Sequence, residues 1–122
     1  MLVEKSGMNI ITTLKKNSDF RRLYSKGKSV VNPYMVVYCR KSPVHTSRVG
    51  YTVSVKLGHA VVRNRIRRRL REIYRLNKSS LKPGMDIVVV ARTRCIGAKY
   101  EKLNSAFLSA CRELGILSEA EA

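Results

Sequence analysis

Val62-Arg63-Asn64-Arg65-Ile66-Arg67-Arg68-Arg69-Leu70-Arg71-Glu72 joins a dense run of arginines to an intact apolar stripe. On a helix advancing ~100° per residue, Val62, Ile66, Leu70, Ile73 and Tyr74 fall within one arc, fit to pack on a sheet. Arg63, Asn64, Arg67, Arg68, Arg71 and Arg75 fall on the opposite side as an exposed ridge. Arg65 and Arg69 lie on the flank, where long aliphatic stems cover apolar surface and the guanidinium groups reach out. A simple localisation tract would lack the stripe. The pattern therefore predicts a helix over residues 59–76 that is both a core element and a charged surface.

Outward from that helix, the chain reads as short elements around a small sheet. Residues 1–16 show no sustained period and read as an arm with a basic end. Asn17 or Ser18 is placed to cap a helix, Asp19 favours its N-terminal dipole, and Phe20, Leu23 and Tyr24 recur at helical spacing until Gly27. Residues 29–40 carry Val30, Val31, Met35, Val36, Val37 and Tyr38, with a break at Asn32 and Pro33 that argues for an edge or a kinked start. After a polar stretch with Pro43, residues 48–55 alternate Val49, Tyr51, Val53 and Val55 with Gly50, Thr52 and Ser54. The two segments read as an antiparallel hairpin. Beyond the arginine helix and a loop with Pro83, residues 85–91 form a nearly continuous apolar run, the mark of a strand covered on both faces. Residues 98–114 place Leu103, Phe107, Leu108 and Cys111 on one helix face, with Gly115 as the stop. The expectation is one α+β domain, a two-layer α-β sandwich with a small mixed sheet and element order α-β-β-β-α-β-α. Its span is residues 13–115, between a flexible extension over 1–12 and a tail over 116–122.

Lys and Arg number 25 against 8 acidic residues in a chain of 122, a formal charge of +17. Self-repulsion on that scale opposes compaction, whereas a polyanion that sheds condensed counterions converts the same charges into affinity. Guanidinium suits the role, because its planar fork bonds two phosphate or ribose oxygens at once and stays charged. With only Glu72 as a local counter-charge, the ridge repels itself until phosphates arrive. Asn64 can both donate and accept, towards a ribose, a base edge or a water on an RNA-bound magnesium ion; an ordinary surface asparagine is the competing reading. An almost all-arginine face suits phosphate better than base edges, so DNA is not an expected partner.

No hydrophobic run approaches the ~20 residues of a membrane span, and residues 8–14 are too short and too polar for a secretory signal. Cytoplasmic localisation and no membrane partner are expected. Cys39, Cys95 and Cys111 are odd in number and lack zinc spacing, so they read as reduced thiols, with Cys39 and Cys111 in the core. Two histidines, His45 and His59, and few carboxylates leave no acid-base pair and no metal cluster, so neither catalytic nor metal-binding residues are assigned to the chain.

The sequence resembles the bacterial ribonuclease P protein family. The likeness rests on Arg63-Asn64-Arg65 and on the stretch ahead of it, Arg48-Val49-Gly50-Tyr51-Thr52-Val53-Ser54-Val55-Lys56-Leu57-Gly58-His59-Ala60-Val61-Val62. Asp19-Phe20, Gly27, Ser29-Val30, Val36-Val37-Tyr38 and the strand from Asp86 follow in the family's order. Val55 departs from it, standing where many relatives carry a lysine. The resemblance implies a left-handed β-α-β crossover, against the ~98% preference for right-handed ones. It also implies a division of labour: a catalytic RNA subunit holds Mg²⁺ and hydrolyses the phosphodiester that frees the mature 5′ end of transfer RNA, and the protein is the non-catalytic subunit of that ribonucleoprotein endoribonuclease. Arg63, Asn64, Arg65, Arg67, Arg68 and Arg71, with Lys56, would face the ribonuclease P RNA. Phe20, Tyr24, Val36 and Tyr38 would line a cleft for the single-stranded 5′ leader of precursor tRNA, with Lys16, Lys56 and Arg48 tracking its backbone. Ring faces accept any base, each stacked base contributing ~1–3 kcal/mol, although Phe20 and Tyr24 at i and i+4 suit core packing equally. The free protein is expected to be a monomer. A ribosomal or other structural RNA-binding protein is the alternative from a different class.

Overall fold

The computed structural model describes residues 11–118. In chain order its elements are β1 (Thr12–Thr13), α1 (Asn17–Lys26), β2 (Lys28–Val31), β3 (Met35–Lys41), β4 (Arg48–Thr52), α2 (Ala60–Asn77), β5 (Met85–Ala91) and α3 (Tyr100–Leu114). Short 3₁₀ turns cover Val55–Leu57, Lys78–Ser80 and Thr93–Cys95. The five strands form one mixed sheet in the order β1-β4-β5-β3-β2, so the chain is α+β as its patterning predicts.

β5 lies at the centre, parallel to β4 and antiparallel to β3. Its apolar run is the consequence of that position, since Ile87, Val88 and Val89 are buried on alternating faces. On one face Met35, Val37, Cys39, Val49, Ile87 and Val89 meet Ile66, Leu70, Ile73 and Tyr74 of α2 and Leu103, Phe107 and Cys111 of α3. These two layers are the body of the fold, each fully buried large side chain stabilising it by ~1.5–3 kcal/mol. On the opposite face α1 covers a smaller cluster of Leu14, Leu23 and Val88, flanked by Phe20, Tyr38 and Val90. The α2 helix connects the parallel neighbours β4 and β5.

The expected hairpin between residues 29–40 and 48–55 does not form. β5 separates β3 from β4, and the hairpin is β2–β3 instead, paired antiparallel from Lys28↔Cys39 to Val31↔Val36. The break at Asn32 and Pro33 is its turn: Asn32 Oδ1 accepts from the backbone N–H of Tyr34 (2.9 Å) and Met35 (3.0 Å). Pro33 thus sits between strands, where its missing N–H costs nothing. β4 also stops at Thr52 rather than 55, and Val55 enters a 3₁₀ turn.

Two further local expectations change. Asn17 and Ser18 lie inside the first turn of α1, which starts after Lys16 without a side-chain cap. The arm reading of residues 1–16 ends at β1, which pairs parallel with β4 at Thr12↔Arg48 and Thr13↔Val49. Leu14 is buried and its N–H donates to Val49 O at 2.8 Å. Two paired residues are too few to show a period. The remaining part of the expected extension, residues 1–10, lies outside the described residues. At the other end Gly115 takes φ 76 as the stop of α3, and Ile116 and Leu117 are buried against the body, with Leu117 bridging Leu81.

All three cysteines are buried and free. Burial pushes their thiols up, Cys111 to about 12, so none is a thiolate near neutrality. Cys39 and Cys111 fill the core as expected, and Cys95 joins them, its thiol donating to Tyr34 O at 3.2 Å. Among the described residues no group of three or more metal-ligating side chains occurs and no helix is long and apolar enough to cross a membrane.

Candidate nucleic-acid interface

α2 buries Ile66, Leu70, Ile73 and Tyr74 and turns its arginines outward. Asn64, Arg65, Arg68 and Arg71 are exposed, and among the described residues Arg65, Arg68 and Arg71 have no acidic partner. The other arginines are engaged. Arg63 is partly buried, its Nε donating to Gly58 O at 3.1 Å. Its angle on the helix falls between those of Leu70 and Tyr74, so it belongs beside the core arc rather than on the far ridge. Arg69 donates to Ala98 O at 2.6 Å and ties α2 to the segment before α3. Arg65, expected on the same flank, is open to solvent. Arg75 is neutralised by Glu72 through a pair of bonds at 3.1 and 2.6 Å, which also hold the Glu72 carboxyl below its usual range. Arg67 donates to Asn64 Oδ1 at 3.3 Å and turns towards a second feature.

That feature is an open cleft of about 530 Å³ beside α1. Asn17, Phe20, Arg21 and Tyr24, spaced i, i+3, i+4 and i+7, form one wall; Tyr51, Thr52, Val53 and Arg67 complete it. The Phe20 ring lies on Gly50, where a Cβ would sit 2.6 Å from Cζ. Only glycine leaves room for the ring. Tyr24 is 40% exposed, packs edge-on to Tyr38 at 4.9 Å and tilted to Phe20 at 6.4 Å, and its hydroxyl shares a 2.8 Å hydrogen bond with Thr52 Oγ1. The aromatic set is therefore partly core and partly surface, so neither reading of the i, i+4 pair excludes the other.

The floor follows from the strand register. Thr52 pairs with Val90, Val90 with Val36 and Val36 with Val31, giving one row across four strands. Val90 flanks the α1 cluster, so by alternation the row shares the face on which α1 lies. Val36 is thereby placed in the same trough as Tyr38. Lys16, just ahead of α1, and Lys56, in the turn before α2, are both exposed. Val55 beside it is 72% exposed, so the departure from the family pattern falls on a solvent-facing position.

Arg48 is occupied otherwise. Its Nε and Nη2 donate to Asp86 Oδ1 and Oδ2 at 2.9 and 2.7 Å, and Nη1 lies 3.6 Å from Asp19 of α1. Asp86 is 2% exposed, so this bidentate pair balances its buried charge and pushes the Arg48 pKa up. Arg48 fixes α1 to the sheet rather than offering a free cation to the cleft. Arg21, Tyr51 and Thr52 were absent from the sequence expectation. The α1 periodicity extended by one step from Asn17 would have found Arg21, whereas Thr52 reaches the cleft only through the sheet.

On this α+β fold an arginine ridge and an aromatic trough meet at Arg67, cations beside ring faces being the combination that suits single-stranded nucleic acid. Residues 8–115 match the Ribonuclease P family. Two proteins called ribonuclease P protein component are similar over most of their length: that of Alkaliphilus oremlandii, 41% identical over 93% of this chain and 99% of its own, and that of Clostridioides difficile, 47% identical over 76% and 82%. Among solved structures, the RNase P protein of Staphylococcus aureus superposes with a TM-score of 0.80 at 34% identity, covering 89% of this chain and 100% of its own. That of Thermotoga maritima gives 0.75 at 33%, covering 83% and 96%. The chain belongs to the ribonuclease P protein family.

Proposed function

We propose that this chain binds the catalytic RNA of ribonuclease P through Asn64, Arg65, Arg67, Arg68 and Arg71 and holds the 5′ leader of precursor tRNA against Phe20, Tyr24, Val36 and Tyr38. It thereby assists removal of the leader, while Mg²⁺ and the hydrolytic groups reside in the RNA. The free protein is a monomer that acts in the cytoplasm. The observation that carries this reading is the junction at Arg67, a residue of the ridge that also lines the aromatic cleft. A strand leaving the surface of a bound RNA at the ridge passes there directly onto ring faces. Lys16 and Lys56 flank the path as exposed cations with no acidic partner among the described residues; Arg48 supports it through α1. The test is reconstitution with a matched catalytic RNA at low magnesium. Stimulated leader removal, together with tighter binding of leader-bearing precursors than of leaderless binding controls, is the expected result, and absence of stimulation would sink the proposal.

A further inference from the structure

The trough does not end at the aromatic residues. The floor row Thr52, Val90, Val36 and Val31 crosses three strand gaps, ~14 Å at the usual inter-strand spacing, and its last member, Val31, is 61% exposed at the sheet edge. Just beyond it lies a second open pocket, about 450 Å³, lined by Val31, Asn32, Pro33, Arg92, Thr93 and Arg94. The β2–β3 turn and the segment after β5 build it together. Arg92 is anchored, its N–H donating to Tyr34 O at 2.9 Å and its Nη1 to Asn32 O at 2.9 Å. Arg94 is exposed and makes no side-chain hydrogen bond or ion pair among the described residues. The floor therefore has a cation at each end, Arg67 at the β4 end and Arg92 with Arg94 at the β2 end, with apolar and aromatic surface between.

Resting on the leader reading above, we infer that the pocket of Arg92 and Arg94 is a second phosphate site, which takes the backbone of leader nucleotides upstream of those lying on Tyr24 and Tyr38. Charge selects the occupant: a neutral apolar segment would cover Val36 and Val31 but leave two guanidinium groups uncompensated, whereas single-stranded RNA supplies bases for the floor and phosphates for both ends. Polarity follows from the ridge. The Arg67 end adjoins the surface assigned to the catalytic RNA, so the leader runs away from it towards Arg94. At ~3.4 Å per stacked nucleotide, the floor holds roughly four nucleotides, fewer if the strand is extended.

The experiment uses the reconstituted ribonucleoprotein and precursors whose leaders are about two or about eight nucleotides long, within or beyond the span of one such groove. For the wild-type protein, the long leader binds more tightly. Arg94→Ala, and the double change with Arg92→Ala, weaken the long-leader precursor about five- to tenfold and leave the short-leader precursor unchanged. The salt dependence of long-leader affinity falls by ~0.7 in log-log slope for each phosphate no longer neutralised. Arg94→Lys retains most of the slope. Equal losses on both leaders, or weakened binding to the catalytic RNA alone, would overturn the site and assign the arginines to the RNA subunit. An unchanged long-leader affinity would overturn it too. A wild-type protein indifferent to leader length would overturn the cleft itself, an outcome distinct from either.

Discussion

The two regions proposed to face RNA are built on opposite principles. The cleft is held from within: Phe20 seats on Gly50, Tyr24 bonds Thr52, and Arg48 with Asp86 and Asp19 pins α1 to the sheet. The ridge rests on the buried side of its own helix, and Arg65, Arg68 and Arg71 reach into solvent without acidic partners among the described residues. A preorganised apolar surface loses little entropy on binding and responds weakly to salt; a row of free guanidinium groups gains affinity by counterion release and responds strongly. One small domain thus separates shape from charge.

Asp86→Ala should break this contrast most severely. It strips Arg48 of its bidentate partner, leaving only the 3.6 Å contact with Asp19, and costs ~3 kcal/mol, at the low end for a buried pair because Arg48 retains both that contact and some solvent. Chemical denaturation measures the loss, and the α2 surface should be unaffected in the protein that remains folded. Replacing Arg65, Arg68 and Arg71 together by alanine should do the reverse: stability within ~0.5 kcal/mol of wild type, but RNA affinity with a salt slope flatter by up to ~0.9 for each duplex phosphate left without its arginine. Gly50→Ala should displace the Phe20 ring, cost ~1–3 kcal/mol by overpacking and weaken binding only for precursors with leaders.

A pH titration separates core from surface in another way. The buried Cys111 thiol is raised from 9.0 to about 12, so the unfolded chain releases this proton before the folded one. Stability is fully present below pH 9 and falls as pH rises towards 12, by roughly 1 kcal/mol per unit for one such group. Cys111→Ala should flatten that decline in thermal unfolding while leaving the ridge's salt response untouched. The smallest effect is expected for Tyr24→Phe, which removes the exposed bond to Thr52 and costs ~0.5–1 kcal/mol.

Much of the ridge was legible because a helix imposes its own geometry: Ile66, Leu70, Ile73 and Tyr74 are buried where their 3.6-residue spacing puts them. The centre of the sheet was legible too, since an uninterrupted Ile87 to Val90 run needs cover on both faces. What failed depended on partners distant in sequence. Strand neighbours were misread because residues 29–40 and 48–55 are adjacent in the chain, although β5 comes between them in space. The engagement of Arg48 by Asp86, 38 residues away, follows only from the β4–β5 register, and β1 exists only because β4 offers it an edge. Arg63 was misplaced for a simpler reason, its angle lying closer to the core arc than its charge suggested.

If cleft and ridge are distinct surfaces, leader recognition and RNA-subunit binding can be lost separately. The direct measurement is precursor affinity of the reconstituted ribonucleoprotein, with and without a 5′ leader, for Tyr38→Ala beside Arg68→Ala with Arg71→Ala. Tyr38→Ala should reduce the leader's contribution by ~1–3 kcal/mol, that of one stacked base, and leave affinity for the catalytic RNA as it was. The arginine variant should weaken assembly with the catalytic RNA and spare the difference between the two precursors. If both variants reduce leader-bearing and leaderless precursors by the same factor, the separation of cleft and ridge is contradicted.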